Sequence, residues 1–229
     1  MPAMAKFLIA ALVAATATMS AQMPMLTAEE KAAGWRLLFD GTSLNGWRGY
    51  KTETPPAGWR AANGELIRDG AGGDLMTAEQ YGDFELRFDW KVTANGNSGV
   101  IYRIATTEQY PWQTGPEYQI LHNQGHRDGK DPITSAGSNY AVNPPVKDVT
   151  RPVGEWNEGR LVARGNHVEH WLNGVKVVEY EIGSADWEAR VKASKFAKLA
   201  NYGRVKRGYI ALQDHGDLVS YRNIKIRTF

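Results

Sequence analysis

The chain has 229 residues, of which 42% are hydrophobic and 23% charged, and a formal net charge of +2 at pH 7, the profile of an ordinary globular protein. A charge that small, with Lys and Arg scattered apart from a run at Arg204-Val205-Lys206-Arg207, gives no electrostatic case for nucleic acid. With no cysteine, the chain excludes thiol catalysis and Cys-based zinc sites, and a fold exported without disulfides must rest on its core alone.

The chain opens with Lys6 followed by the apolar run Phe7 to Ala15 and small residues to about Ser20-Ala21. A short positive region, an apolar core and a small-residue exit predict a secretory signal over residues 1–21. The run falls short of the ~20 apolar residues a bilayer span needs. Residues 22–229 are then expected as a single domain, periplasmic or secreted. Thr27-Ala28-Glu29-Glu30 has the form of a capping box and predicts a short helix ending near Gly34. Trp35 to Phe39 reads as a strand, Asp40-Gly41-Thr42 as a turn, and Trp59 to Ile67 as a hairpin about Asn63-Gly64.

The clearest period lies at residues 84–92, where Phe84, Leu86, Phe88, Trp90 and Val92 alternate with Glu85, Arg87, Asp89 and Lys91. Such alternation fits a half-buried antiparallel strand and no helix. A turn at Asn95 to Gly99 leads to a strand over 100–104, in which Val100, Tyr102 and Ile104 share one face and Ile101 and Arg103 the other. After a loop at 106–116, the strand Glu117-Tyr118-Gln119-Ile120-Leu121 sets Glu117 and Gln119 on one face and Tyr118 and Ile120 on the opposite one. Residues 123–155 are rich in Gly, Pro, Asn and Asp; a loop of that length is commonly a lid or binding loop, and it carries Tyr140 as a candidate ligand contact. Strands are expected at 160–164, 167–172 and 175–181, a helix at 185–199, and closing strands at 208–214 and 218–227. Many strands, tight turns and two short helices without a βαβ rhythm predict an all-β fold, an antiparallel β-sandwich with peripheral helices.

If the three polar-faced strands are neighbours, Arg103, Glu117, Gln119, Gln213 and His215 form one constellation. Fixed donors and acceptors of that kind suit sugar hydroxyls. Among eight tryptophans, Trp171 is the candidate stacking platform, since it points away from Val168 and Leu172. The plainer alternatives are an Arg103–Glu117 surface ion pair contributing ~0–1 kcal/mol, a Gln213 that satisfies a sheet edge, and a structural His215. His122, His126 and Asp128 are close enough in sequence to consider as metal ligands, without a spacing that marks such a site. Glu117 is the one carboxylate on this face, whereas ordinary glycosidases need two.

Leu38 to Trp47, Gly96 to Arg103, Glu117 to Leu121, Ala211 to Gly216 and Arg222 to Arg227 occur in an order that resembles the 3-keto-disaccharide hydrolase family, long known as a domain of unknown function. The resemblance covers about residues 35–229. It implies a concanavalin A-like jelly roll acting on glycosides already oxidised to a ketone at C3. A C3 ketone acidifies the C2 hydrogen, so one base can drive β-elimination of the C1 substituent, and water can add back. On that chemistry Glu117 or His215 acts as base and acid, and Arg103, Gln119 and Gln213 hold the enolate and hydroxyls. Trp171 and Tyr140 are the further candidate substrate contacts read from the strands and the long loop. A divalent metal polarising the ketone would serve the same end; the sequence neither requires nor excludes it. The alternative is a non-catalytic carbohydrate-binding jelly-roll module. The expected partner in either case is a carbohydrate, not nucleic acid or membrane.

Overall fold

A computed structural model describes residues 23–229, so the signal expected over residues 1–21 lies outside the described residues. The strands are β1 (Arg36–Leu37), β2 (Trp47–Gly49), β3 (Trp59–Ala62), β4 (Glu65–Arg68), β5 (Leu75–Thr77), β6 (Phe84–Val92), β7 (Asn97–Ile104), β8 (Glu117–Leu121), β9 (Asn157–Arg164), β10 (His167–Leu172), β11 (Val175–Glu181), β12 (Tyr209–Leu212) and β13 (Val219–Thr228). Two short helices, α1 (Ala28–Ala32) and α2 (Ala185–Ala193), complete the regular structure apart from 3-10 turns. Two antiparallel sheets result. One has eight strands, in the order β11-β10-β9-β6-β13-β4-β3 with β1 beside β13; the other has five, in the order β2-β5-β12-β7-β8. The fold is the expected all-β sandwich with peripheral helices. No helix among the described residues is long and apolar enough to cross a membrane.

Local chemistry explains many of the boundaries. The capping box forms as expected, with the Glu30 N–H donating to Thr27 Oγ1 at 3.1 Å and the Thr27 N–H donating to Glu30 Oε2 at 3.2 Å. Asn63 and Gly64 turn the β3–β4 hairpin at φ +53° and +76°, the left-handed pair a two-residue turn demands. β6 buries Phe84, Leu86, Phe88, Trp90 and Val92 against the inward residues of the second sheet, Val100, Tyr102, Tyr118 and Ile120 among them. Its polar face departs from the pattern at Glu85, which is 1% exposed. Burial opposes ionisation there, yet Arg227, Arg160 and Arg87 hold the Glu85 carboxyl below its ordinary range.

α2 ends at Ala193 rather than near residue 199. The Ser194 hydroxyl donates to the Val191 carbonyl at 2.8 Å and accepts from the Phe196 N–H at 3.1 Å, which turns the chain out of the helix. Phe196 then stacks on Tyr202, ring centroids 4.1 Å apart, and that burial outweighs the remaining helical turn. The following residues run in turns.

Candidate active site

The register of the five-stranded sheet assembles the site. On its outer face Glu117 of β8 stands opposite Ile101 of β7, and Gln119 opposite Gly99, while the Gln213 N–H donates to the Gly99 carbonyl at 2.9 Å. Gln119 of β8, Gly99 of β7 and Gln213, which follows β12, therefore lie side by side. Glycine at 99 is a steric requirement: a Cβ there would sit 2.2 Å from Glu117 Oε1, because the Glu117 side chain lies across that position. Glu117, Gln119, Gln213, His215 and Tyr140 line one pocket of about 240 Å³ with Asn97, Trp112 and Lys195.

The long loop supplies one wall by pairing with β8 as a partial extra strand. The Gln119 N–H donates to the Ser138 carbonyl at 3.1 Å, the Gly137 N–H to the Gln119 carbonyl at 2.8 Å and the Tyr140 N–H to the Glu117 carbonyl at 3.0 Å. His170, fully buried, anchors this stretch from the core: Nδ1 lies 3.1 Å from the Gly137 carbonyl and Nε2 3.2 Å from the Tyr102 hydroxyl. Burial holds the His170 pKa down to about 4, so the neutral ring donates through Nδ1 and accepts through Nε2. The Tyr140 hydroxyl donates to Asp128 Oδ2 at 3.1 Å.

Burial dominates the electrostatics. It pushes the Glu117 carboxyl up to about 8; the Lys195 ammonium opposes that rise, and the charges of Asp74 and Asp128 reinforce it. Asp74, on the same sheet face beyond Gln213, is raised to about 6, first by burial and then by the charge of Asp214. Three buried acceptor oxygens of pocket residues, Asn97 Oδ1, Gln119 Oε1 and Gln213 Oε1, find no hydrogen-bond donor among the described residues. Leaving such groups unsatisfied costs about 1–3 kcal/mol each, and hydroxyl donors of a ligand would recover it. Gln213 Nε2 donates to Glu117 Oε2 at a long 3.5 Å.

Two expected contacts lie elsewhere. Arg103 does not join the pocket. β7 carries one extra residue relative to β12, since Ile104 pairs with Tyr209 but Ile101 with Ala211, and Arg103 absorbs the bulge at φ +51°. The alternation breaks there: Ile104 moves to the face of Ile101, and Arg103 turns to the end of the sandwich. There its guanidinium donates to the Gly82 carbonyl at 3.0 Å, the Gly165 carbonyl at 2.8 Å and Asp83 Oδ1 at 3.1 Å. Its ion-pair partner is Asp83, not Glu117. Arg103→Met should destabilise the fold by about 2–3 kcal/mol, because the Gly82 and Gly165 carbonyls lose a charged donor, while leaving KM for a sugar substrate unchanged, measured by denaturant unfolding and initial rates. A raised KM with intact stability would return Arg103 to the site.

Trp171 lies on the outer face of the other sheet. Its indole N–H donates to Glu169 Oε2 at 2.7 Å, and the Arg160 guanidinium covers its ring at 4.7 Å. The core separates it from Glu117, because β10 belongs to the eight-stranded sheet. His122 and His126 are engaged as turn acceptors, each Nδ1 taking a backbone N–H, from Asn95 at 3.0 Å and Asp128 at 3.1 Å. Among the described residues, the group spaced to hold a metal ion is His167, Glu169 and Glu179. It lies on the same outer face as Trp171, where Lys176 already bridges the two carboxylates at 3.4 and 2.7 Å.

Asn97, Trp112 and Lys195 complete the pocket and were not singled out from the sequence. Asn97 sits within the Gly96–Gly99 stretch that carried the resemblance, the one signal that could have marked it. Nothing local marks Trp112 or Lys195: the first sits in an irregular loop, and the second reaches the site only because α2 stops short.

A family model described as a 3-keto-alpha-glucoside-1,2-lyase-like domain matches residues 34–227. A Bacteroides thetaiotaomicron protein named 3-keto-disaccharide hydrolase is 34% identical over 240 residues, spanning 91% of this chain and 83% of its own length. A crystal structure of a candidate glycosyl hydrolase from Parabacteroides distasonis ATCC 8503 superposes with a TM-score of 0.85 at 34% identity, covering 91% of this chain and 100% of that one. A second candidate glycosyl hydrolase of that organism gives a TM-score of 0.67 at 27% identity, covering 85% and 99%.

Proposed function

The chain belongs to the 3-keto-alpha-glucoside-1,2-lyase-like family, and from that premise we propose that it is an exported enzyme cleaving glycosides that carry a ketone at C3. The observation that carries this reading is the buried Glu117 carboxyl, alone among carboxylates in a pocket whose amide oxygens lack donors. One weakly acidic carboxyl suits proton abstraction from carbon better than the paired carboxylates of ordinary glycoside hydrolysis.

In this reading ionised Glu117 removes the C2 proton. The C2–H electron pair forms a C2–C3 double bond, and the ketone π pair moves onto the C3 oxygen as an enolate. The enolate then collapses to the ketone, the double bond shifts to C1–C2, and the C1–O bond breaks. The departing oxygen takes a proton from His215 at the pocket mouth or from protonated Glu117. Water adds its hydroxyl to C1 and a proton to C2, so the net change is hydrolysis. Asn97, Gln119 and Gln213 accept from sugar hydroxyls and fix the ring, and Trp112 and Tyr140 wall it in. The signal-like composition of residues 1–21 supports action in the periplasm or outside the cell.

The deciding experiment incubates purified protein with a 3-keto-glucoside and with its unoxidised parent, following aglycone release with and without chelator. Release from the keto-sugar alone is the expected result. Release from the parent at a similar rate, or binding of the parent without turnover of either, would overturn it. Chelator-sensitive release would add an ion to the site.

A further inference from the structure

Lys195 is the one lysine or arginine lining the Glu117 pocket, and it forms no hydrogen bond or ion pair with any described residue. Lys195 is an exposed residue overall, yet desolvation of its ammonium end lowers its pKa against the charges of Glu117 and Asp128, which raise it. The ammonium is nevertheless turned over aromatic rings, 4.3 Å from the centre of Tyr140, 5.2 Å from Phe196 and 5.6 Å from Trp112. Rings hold a cation in place without neutralising it. The charged or titratable groups that act on it are Glu117 and Asp128, with Tyr140 beneath it. Asp128 is already engaged by the Tyr140 hydroxyl.

We propose that Lys195 is a further catalytic residue, the ammonium that takes up the negative charge developing on the C3 oxygen when Glu117 removes the C2 proton. The inference rests on the 3-keto-glycoside reading above. Its physical content is charge migration. Before the step the negative charge is on the Glu117 carboxylate; after it, the carboxyl is neutral and the charge is on the enolate oxygen. A cation held by rings, with no fixed counter-ion, can favour both states from one position. It raises the ionised fraction of Glu117, which burial would otherwise keep protonated, and it then stabilises the enolate. An ammonium locked in a salt bridge would have to break it at the moment of reaction.

The test compares wild type, Lys195→Met and Lys195→Arg on a 3-keto-glucoside, with C2 hydrogen exchange from unsubstituted 3-keto-glucose in D2O as a second readout that needs no leaving group. Methionine keeps the stem packed over the rings and removes the charge. Lys195→Met should lose about 10²–10³-fold in kcat and in exchange with KM little changed. The acidic limb of its pH–rate profile should move to higher pH, because the cation favouring ionised Glu117 is gone. Lys195→Arg should keep most of the exchange. A Lys195→Met protein with wild-type kcat and pH profile would reduce the residue to packing and overturn the inference alone. A borohydride-trapped adduct on Lys195 would overturn it too, replacing a through-space cation with a covalent iminium. Wild type that neither cleaves nor exchanges would overturn the 3-keto-glycoside reading itself.

Discussion

Glu117→Gln should lower turnover of a 3-keto-glucoside by at least about 10³-fold and at the same time make the protein more stable at pH 8. The two effects have one cause. Burial raises the folded-state pKa of Glu117 to about 8, whereas in the unfolded chain a glutamate titrates near 4.3. Stability associated with this group is complete below about 4.5 and is lost as pH rises through 8, because the unfolded chain ionises it freely and the fold resists. Glutamine has the same shape and no such titration. The stability difference should therefore be near zero at pH 4, grow through neutrality and reach roughly 4.5 kcal/mol by pH 8. For a domain of this size that is about 9–18 °C in melting temperature. Thermal unfolding across pH 4–8, paired with aglycone release, reads both. Retained activity would remove Glu117 from the mechanism. A flat pH trend would mean that Glu117 is ionised at little cost, with a polar environment in place of the dry one.

Gly99→Ala is the second large expected effect, and it should spare the fold. The new Cβ would meet Glu117 Oε1 at 2.2 Å, Cδ at 2.8 Å and Cγ at 2.9 Å, all atoms of one flexible side chain. The cheapest relief is a rotation of Glu117 that carries its carboxyl away from Gln213. A misplacement of about 1 Å costs on the order of 10²-fold in rate, while unfolding free energy should change by less than about 1 kcal/mol. Gly99→Ala at wild-type kcat would show that the carboxyl works from another position. Global destabilisation would mean that β7 moves in place of Glu117.

Much of the fold was readable because its signals are local. The alternation over Phe84–Val92, the Asn63-Gly64 turn, the Thr27 capping box and the strand Glu117–Leu121 each follow from neighbouring residues and one backbone period. The site was readable where those periods ran unbroken. Glu117 and Gln119 keep the face that strand parity assigns and meet Gln213, the residue that follows β12, while His215 reaches the pocket from the segment beyond that strand. Arg103 was misplaced because a bulge against β12 resets that parity, and a bulge is a property of the pair of strands.

Composition, parity and turn chemistry thus determined an all-β chain with one acid and two amides on a polar strand face. The ordered motifs pointed to the 3-keto-disaccharide hydrolase family. Tertiary structure decided which polar faces became neighbours, through the order β2-β5-β12-β7-β8. It took Trp171 out of the site by putting β10 in the other sheet, and brought Lys195 in when Phe196 left the helix to stack on Tyr202. Strand periods and turns depend on the residues beside them, so sequence states them directly. Sheet order, bulges and the dry environment that raises Glu117 come from contacts between segments far apart in the chain, and those exist only once the core has closed.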